Sequence, residues 1–211
     1  MMNRQIFLFY VLMLCAGNLL NGQVKVLDNF YGKSQSDEDI CLRSGNYTND
    51  VSVEKLILQI VEAFGVKKLD FTVIRCDGIS NVMSTISSGK LFLLYNTAFL
   101  KSIKSLDFKT DSLSTNKVDW VPLHVLTHEI AHLLNGHFVN PSPKATMHDL
   151  EMEADETAGF ILQRLGATLE ESQQALKSDL VSIEGNSDYP PRVQRLEANR
   201  KGWEKAGKSN H

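Results

Sequence analysis

Apolar residues in the first hundred positions recur with the spacing of one helix followed by a small β-sheet. Between residues 53 and 64 they fall at i, i+4, i+7, i+8 and i+11, the spacing of one buried helix face, and Gly65 follows where the helix would end. Three later segments share the β-branched and aromatic composition of strands: 69–76, 82–86 and 90–95. The short connection 87–89, which contains a glycine, predicts a hairpin between the last two strands.

From residue 96 onward the pattern predicts helices. Asn96 is placed to cap a helix through Leu106, and the polar segment 107–119 predicts a loop. A second apolar-periodic run lies between Pro122, which suits a first helical turn, and Gly136, which suits a helix end. Capping residues and apolar faces predict three more helices. The first runs from Thr146 to Gly166, and the second from Thr168 to about Leu180, with Glu171 completing a capping box. The last starts at Pro190 or Pro191 and turns Val193, Leu196 and Trp203 inward. This order predicts the α+β class.

The first 22 residues predict a secretory signal peptide that is not part of the fold. Arg4 gives the positively charged start, and residues 6–16 form an apolar segment that small residues follow. A membrane anchor is the less favoured alternative, because this segment is well short of the roughly 20 apolar residues that span a bilayer. We therefore expect an exported protein, periplasmic or extracellular, with a single domain over residues 23–211.

Composition and charge narrow the range of partners. The chain has 211 residues, of which 43% are hydrophobic, enough for one well-buried domain. Its 22 Lys and Arg residues are balanced by 25 Asp and Glu residues, and no basic stripe interleaved with aromatic residues argues for nucleic acid. Loss of the signal peptide would leave Cys41 and Cys76, which permit one disulfide in an oxidising compartment.

Candidate chemistry lies in the second apolar-periodic run, where His128, Glu129 and His132 form a His-Glu-x-x-His motif. Helix positions i and i+4 share one face, so the two imidazoles can hold one metal ion while Glu129 reaches a water bound to it. This pattern is typical of a catalytic zinc site. The alternative is an amphipathic helix with buried or solvated histidines, although five of the six histidines cluster between His124 and His148.

A catalytic zinc ion needs a third protein ligand, and three histidines compete for that position. His124 precedes His128 by one helical turn, but a third ligand on one straight helix rotates off the common face. His137 falls just past the predicted helix end. His148 begins the next helix and stays open as a competitor.

A carboxylate on the following helix fits the third position better. Glu151 lies 19 residues after His132, and Asp155 follows one turn later on the same face. Asp155 can accept the outer N–H of a ligand imidazole and so fix its tautomer. Glu153 points to a different side of the same helix. We therefore predict Glu151 as the third ligand and Asp155 as the partner of a ligand histidine.

Together the two motifs resemble the gluzincin metallopeptidases of the HtpX, OMA-type and CAAX-prenyl-protease group. In that group His-Glu-x-x-His is followed on the next helix by Glu-x-x-Ala-Asp, and residues 151–155 of this chain read Glu-Met-Glu-Ala-Asp. The resemblance implies one zinc ion per chain, a general base and a carboxylate behind one ligand. By position these roles fall on His128, His132 and Glu151 as zinc ligands, Glu129 as base and Asp155 as the supporting carboxylate.

Two weaker matches extend the resemblance. The segment before the hairpin is similar to the group's Asn-led edge strand, which implies substrate binding by Asn81, Val82 and Met83. Residues 188–191 with Arg195 resemble a closing His-Pro-Pro motif with its downstream arginine. Tyr189 stands where the group has a histidine, and its hydroxyl can donate a comparable hydrogen bond to developing negative charge. We therefore assign Tyr189 a catalytic role.

The resemblance implies a zincin-like fold, with a small sheet and hairpin beside an active-site helix and flanking helices. The implied activity is that of an exported zinc metalloendopeptidase that hydrolyses protein or peptide substrates with a zinc-bound water. The departure at Tyr189 supports an alternative, an envelope zinc-binding chaperone or assembly factor with lost or latent protease activity. An intracellular protease that cuts a repressor would share the zinc motif, but it would have no signal peptide.

Overall fold

The computed structural model describes residues 41, 51–103 and 118–208. The order of elements is helix α1 (Val51–Phe64), strands β1 (Thr72–Arg75), β2 (Val82–Ser87) and β3 (Lys90–Tyr95), then helices α2 (Thr97–Ser102), α3 (Trp120–Leu134), α4 (Met147–Arg164), α5 (Leu169–Ser172), α6 (Gln174–Lys177) and α7 (Arg192–Lys208). The predicted α+β class is confirmed. The predicted signal peptide, Leu106 and residues 107–117 lie outside the described residues. Within those ranges no helix combines the length and the apolar character needed to cross a bilayer.

The three described strands form one mixed sheet in the order β1-β3-β2. Strands β2 and β3 pair antiparallel, with Val82 opposite Tyr95, while β1 runs parallel to β3. The predicted hairpin is confirmed, and Ser88 and Gly89 connect its strands with φ angles of 49° and 73°. Two successive positive φ angles match the right-handed twist of the flanking strands. In this part of the chain β2 is an edge strand, and it packs against α3.

Helix α3 is buried along nearly its whole length. It packs against α1, α4, α6 and the β2–β3 hairpin, and Leu126 and Ile130 join Ile57, Leu93 and Ile161 in the main core. A helix that is covered on all sides takes its polar residues into the interior, where each of them needs a partner. The histidines and glutamate of the predicted motif are therefore buried groups.

Helices α4 and α7 approach each other backbone to backbone. A Cβ added at Gly159 would lie 2.0 Å from the carbonyl oxygen of Asn199, and one added at Gly202 would lie 1.7 Å from that of Glu156. Only glycine permits this contact. The close approach carries Arg195, near the start of α7, into the interior beside α4.

The prediction that Val193 faces inward is wrong, because its side chain is 70% exposed. Leu196 is half-buried, and Trp203 is half-buried with its indole N–H donating to the carbonyl of Ala167 at 2.8 Å. Small and polar residues instead form the buried face of α7: Arg195, Ala198, Asn199, Gly202 and Ala206. The apolar pattern misleads here because the contact depends on closeness of the backbones rather than on large apolar side chains.

The predicted continuous helix from Thr168 to Leu180 is also wrong, since the chain forms two short helices, α5 and α6. The predicted capping box at Thr168 and Glu171 is present. At the last residue of α5, the carbonyl of Ser172 accepts a hydrogen bond from His124 Nδ1 at 2.7 Å, and the Ser172 hydroxyl donates to Asn199 Oδ1 at 2.9 Å. These tertiary bonds compete with continuation of the helix.

The sulphur atoms of Cys41 and Cys76 lie within bonding distance, and their Cα atoms are 5.6 Å apart, a separation typical of disulfides. Both residues are buried, in a small cluster with Ile74, Ile79 and Leu94. We expect reduction of the denatured protein to raise its free thiol count by two. Equal thiol counts before and after reduction would contradict the pairing.

Replacing Gly202 with Ala should destabilise the protein, although alanine is the better helix former. The added Cβ collides with the backbone of Glu156, and such overpacking costs about 1–3 kcal/mol. Gly207 is the matched control on the same helix, because a Cβ there meets only Gln163 Nε2 at 3.7 Å. We expect Gly207→Ala to be neutral or stabilising in urea unfolding. Equal stability of Gly202→Ala and Gly207→Ala would contradict the close contact between Gly202 and the backbone of Glu156.

Candidate metal centre

The three residues predicted as metal ligands meet at the junction of α3 and α4. The Nε2 atoms of His128 and His132 are 3.2 Å apart. The carboxylate of Glu151 reaches both rings, with Oε2 3.2 Å from His128 Nε2 and Oε1 3.3 Å from His132 Nε2. All three side chains are buried. One ligand atom from each lies within 4.8 Å of the others, so this group could hold a metal ion.

Local sequence features bring the two helices into this register. Thr146 caps the start of helix α4 and forms a capping box with Asp149, which places Glu151 one turn after the first residue of the helix. At the other end of the contact, Asn135 follows the last residue of α3 and exchanges hydrogen bonds with Thr157 of α4 at 3.0 and 3.2 Å. The capping box and the Asn135–Thr157 hydrogen bonds hold Glu151 against the two histidines.

The cluster has unmet bonding capacity. Glu151 Oε2 is buried and has no hydrogen-bond partner within the described ranges, although His128 Nε2 lies 3.2 Å away. A buried carboxylate oxygen without a hydrogen bond is costly. Two ring nitrogens and a carboxylate that converge on one point are the ligand set of a cation.

Asp155 lies where the sequence predicts it, behind His128. Its Oδ1 atom accepts a hydrogen bond from His128 Nδ1 at 3.0 Å. Arg195 holds the same carboxylate with two hydrogen bonds, from Nε to Oδ2 at 2.6 Å and from Nη2 to Oδ1 at 3.0 Å. Because a carboxylate only accepts, His128 carries its hydrogen on Nδ1, and a neutral ring then directs the Nε2 lone pair at the cluster.

The charges of this group are strongly coupled. Burial alone would raise the pKa of Glu151, but His132 and His128 hold it well below its usual range. Burial also acts on Asp155, and Arg195 and His128 nevertheless lower its pKa. Burial disfavours a charged His128, yet Asp155 and Glu151 together raise its pKa to about 9. Without a metal ion, a proton on His128 therefore balances the buried carboxylates.

Glu129 is held by the edge of the sheet. Its side chain is 5% exposed, and Oε2 accepts hydrogen bonds from the Ser84 backbone N–H at 2.9 Å and from the Ser84 hydroxyl at 2.8 Å. These two bonds fix the orientation of a carboxylate that follows His128 by one residue and precedes His132 by three. Ser84 is not predictable from the sequence, because a serine on a strand carries no signal of a partner 45 residues away.

The three residues predicted to bind substrate lie on or beside β2. The carbonyl of Asn81 accepts from the Asn96 N–H at 3.0 Å, which joins the two ends of the hairpin. Val82 is part of the main core, and Met83 packs against the small buried cluster that contains Cys41 and Cys76. Ser84, the next residue, makes the contact with Glu129. The substrate-binding role of these residues stays a prediction.

Tyr189 is half-buried, and its phenol lies in the field of the site carboxylates. Burial and the negative charges of Glu151 and Glu129 raise the pKa of Tyr189, so the hydroxyl keeps its proton. The preceding loop holds this residue in place, since Asn186 Oδ1 accepts from the backbone N–H of Tyr189 at 2.9 Å. Gly185 has φ +71°, and a Cβ there would lie 2.4 Å from the Tyr189 carbonyl oxygen. A side chain at this position would displace the tyrosine.

The three competing histidines take different places. His148 Nε2 donates to the carbonyl of Asn186 at 2.8 Å and so anchors the Tyr189 loop, away from the ligand cluster. His124, one turn before His128 on α3, is buried, and burial lowers its pKa to about 4. His137 is buried against His132, with the two Nδ1 atoms 2.8 Å apart, and burial and His132 lower its pKa to about 3. None of these three belongs to the cluster of ligand atoms found within the described residues.

Comparison of the chain with protein-family models, curated proteins and solved structures finds no match in any of the three. The resemblance to gluzincins therefore rests on the motif residues. The structure itself defines an α+β protein with a buried His-His-Glu group that could hold a metal ion, with an oriented carboxylate beside it.

Proposed function

We propose that this protein is a zinc-dependent metalloendopeptidase of zincin-like fold that acts on protein or peptide substrates. The observation that carries the proposal is the position of Glu129, which is oriented by Ser84 next to a buried group of three metal-ligand side chains. Three protein ligands leave the fourth position of a tetrahedral ion open to water or substrate. A structural metal would need no such base.

The spacing of the ligand atoms supports zinc as the ion. Bonds of about 2.0–2.1 Å in a tetrahedron place neighbouring ligand atoms about 3.3–3.4 Å apart. The Nε2 atoms of His128 and His132 are 3.2 Å apart, close to this spacing, and each Glu151 oxygen lies near one ring, with Oε2 3.2 Å from His128 and Oε1 3.3 Å from His132. Two imidazoles and one carboxylate are also a common ligand set of catalytic zinc.

Zinc, when bound, acidifies a water molecule and polarises a carbonyl group. Residues of the chain transfer the proton, orient the catalytic groups and stabilise the developing charge. Glu129 accepts the proton of the attacking water and delivers it to the leaving amine. Ser84 keeps Oε2 of this carboxylate fixed, and the Tyr189 hydroxyl, which is protonated at neutral pH, donates a hydrogen bond to the developing oxyanion. Asp155 and Arg195 hold His128 in the tautomer that a metal ligand requires.

A metal count paired with cleavage of a mixed peptide library tests this function. We expect about one zinc ion per chain, cleavage within peptides, loss of activity with a chelator and its return with zinc. A protein that binds zinc but cuts no peptide would favour the envelope chaperone or assembly factor. A protein that binds no zinc would exclude both functions.

Export to the periplasm or the outside is part of the proposal. The apolar N-terminal segment suits a signal peptide, and the adjacent Cys41 and Cys76 suit an oxidising compartment. We expect the mature protein to begin near residue 23, which N-terminal sequencing would show. A mature protein that begins at Met1 or Met2 would contradict cleavage.

Zinc affinity should rise with pH between 7 and 9. The pKa of His128 is raised to about 9 in the zinc-free protein, so at pH 7 the ring holds a proton that zinc must displace. Protons therefore compete with zinc below pH 9, and we expect the apparent Kd to tighten about tenfold per pH unit up to that value. Competition with a chelator of known affinity at pH 7 and 8 measures the change. Equal Kd values at the two pH values would contradict the protonated state of His128.

A further inference from the structure

The two histidine ligands have different supports. Asp155 stands behind His128, and His137 stands behind His132 with the two Nδ1 atoms 2.8 Å apart. His137 is buried, so this contact is shielded from water. The local backbone explains its position, because the chain reverses immediately after α3.

The helix end is a Schellman motif. Gly136 has φ +72°, its N–H donates to the carbonyl of Leu133 at 3.2 Å, and the N–H of His137 donates to the carbonyl of His132 at 3.1 Å. This 6→1 hydrogen bond folds the chain back on the last helical turn. The side chain of His137 is thereby delivered to the ring of His132, although it lies outside the helix.

The hydrogen bond between the rings admits one arrangement once His132 binds zinc through Nε2. A neutral imidazole that uses Nε2 as a ligand carries its hydrogen on Nδ1, so His132 is the donor. His137 Nδ1 must then accept, and the hydrogen of His137 lies on Nε2. That atom is 3.4 Å from Oε2 of Glu153, a longer contact than a hydrogen bond, and the Glu153 side chain is 60% exposed.

We propose that His137 is a positioning residue for the zinc site, which accepts the Nδ1 hydrogen of His132 and transmits the negative charge of Glu153 to that ligand. The inference rests on the proposed zinc site. Each histidine ligand then has its own hydrogen-bond acceptor. For His128 the acceptor is the buried carboxylate of Asp155, which Arg195 holds in place. For His132 it is the neutral ring of His137, which lies near the exposed carboxylate of Glu153. An acceptor at this position orients the ring and raises the basicity of the ligand.

Zinc affinities of two His137 variants test the role. His137→Phe fills the space but cannot accept, and we expect its zinc Kd to weaken about 10–100-fold. His137→Gln offers an amide oxygen as acceptor and should recover part of that loss. Phe138→Leu is the control, because Phe138 contacts the same ring with centroids 6.5 Å apart and without a hydrogen bond. Its Kd should stay within about twofold of wild type.

Glu153→Gln should have a smaller effect, since solvent screens this carboxylate. If wild type binds zinc and His137→Phe binds it equally well, the positioning role is overturned while the zinc site stands. Equal losses in the Phe and Gln variants would also overturn it, because they would indicate packing alone. A wild type that binds no zinc overturns both the zinc site and the inference.

The tautomers of the zinc-loaded wild type provide a test that needs no variant. Nitrogen-15 NMR of the histidine rings should show the hydrogen of His132 on Nδ1 and that of His137 on Nε2. A hydrogen on His137 Nδ1, or a doubly protonated His137, would overturn the proposal even if every variant failed to fold.

Discussion

Replacing Glu129 with Gln is expected to lower peptide hydrolysis by about 10²–10⁴-fold, the usual contribution of a general base. The amide is nearly isosteric and can still accept the two hydrogen bonds from Ser84, so the side chain should stay in place. It cannot take a proton from water. Because Glu129 is not one of the three ligands, zinc Kd should stay within about threefold of wild type.

Initial rates on one cleavable peptide, measured with equal zinc occupancy, check this expectation. Glu156→Gln is the matched control, since it makes the same chemical change on the ligand-bearing helix at a partly exposed carboxylate that pairs with Lys201 and Lys205. Control activity should remain within a few-fold of wild type, by the modest coupling of exposed charges, about 0.2–1 kcal/mol. Undiminished activity of Glu129→Gln would refute its role as base. Loss of zinc in that variant would instead make Glu129 a ligand.

Local sequence signals predicted much of the fold. Helix α1 follows from a strongly periodic run that ends at Gly65, and the hairpin follows from two β-rich segments around a short glycine-containing turn. Thr146 and Gly136 act as helix cap and helix end as expected. Each of these features depends on residues within a few positions of one another, so a short stretch of sequence is enough to predict it.

The ligand cluster was predictable for a related reason. The i, i+4 spacing fixes His128 and His132 on one helix face whatever surrounds them, and Glu151 needs only the next helix to pack alongside. The outer contacts of the site depend on tertiary structure. Ser84 reaches Glu129 because the edge of β2 lies on α3, and no periodicity encodes that contact.

The buried face of α7 shows the same limit more clearly. Arg195 reaches Asp155 only because Gly159 and Gly202 let two backbones touch, and a pattern of apolar residues pointed to Val193 instead. His137 was dismissed as outside the helix, although the Schellman turn brings it back to His132. In both cases glycine positions held the relevant signal, since each glycine permits a geometry that other residues prevent.

Replacing Arg195 with Met should destabilise the zinc-free protein by about 3–5 kcal/mol, the cost of breaking a buried ion pair by removing one partner. The guanidinium is 2% exposed, makes two hydrogen bonds to Asp155 and lies 3.6 Å from Glu151 Oε2. Methionine fills part of the volume but removes the positive charge and both hydrogen bonds that Arg195 gives to the buried carboxylates. Urea unfolding of chelated protein at pH 7 measures the loss, and a change under about 1 kcal/mol would contradict the ion pair.

The pH dependence separates loss of charge from loss of packing. Arg195 lowers the pKa of Asp155 in the folded protein, so this pair stabilises the fold above the ordinary aspartate pKa and the stabilisation is lost as pH falls through the lowered value. The difference between wild type and Arg195→Met should therefore be full near neutral pH and shrink in acid. A double variant that adds Asp155→Asn removes the buried charge that Arg195 offsets and should regain part of the stability at pH 7. A loss that is the same at every pH and unaffected by Asp155→Asn would mean that Arg195 acts through its volume, because only a charge interaction couples to both protonation and the identity of residue 155.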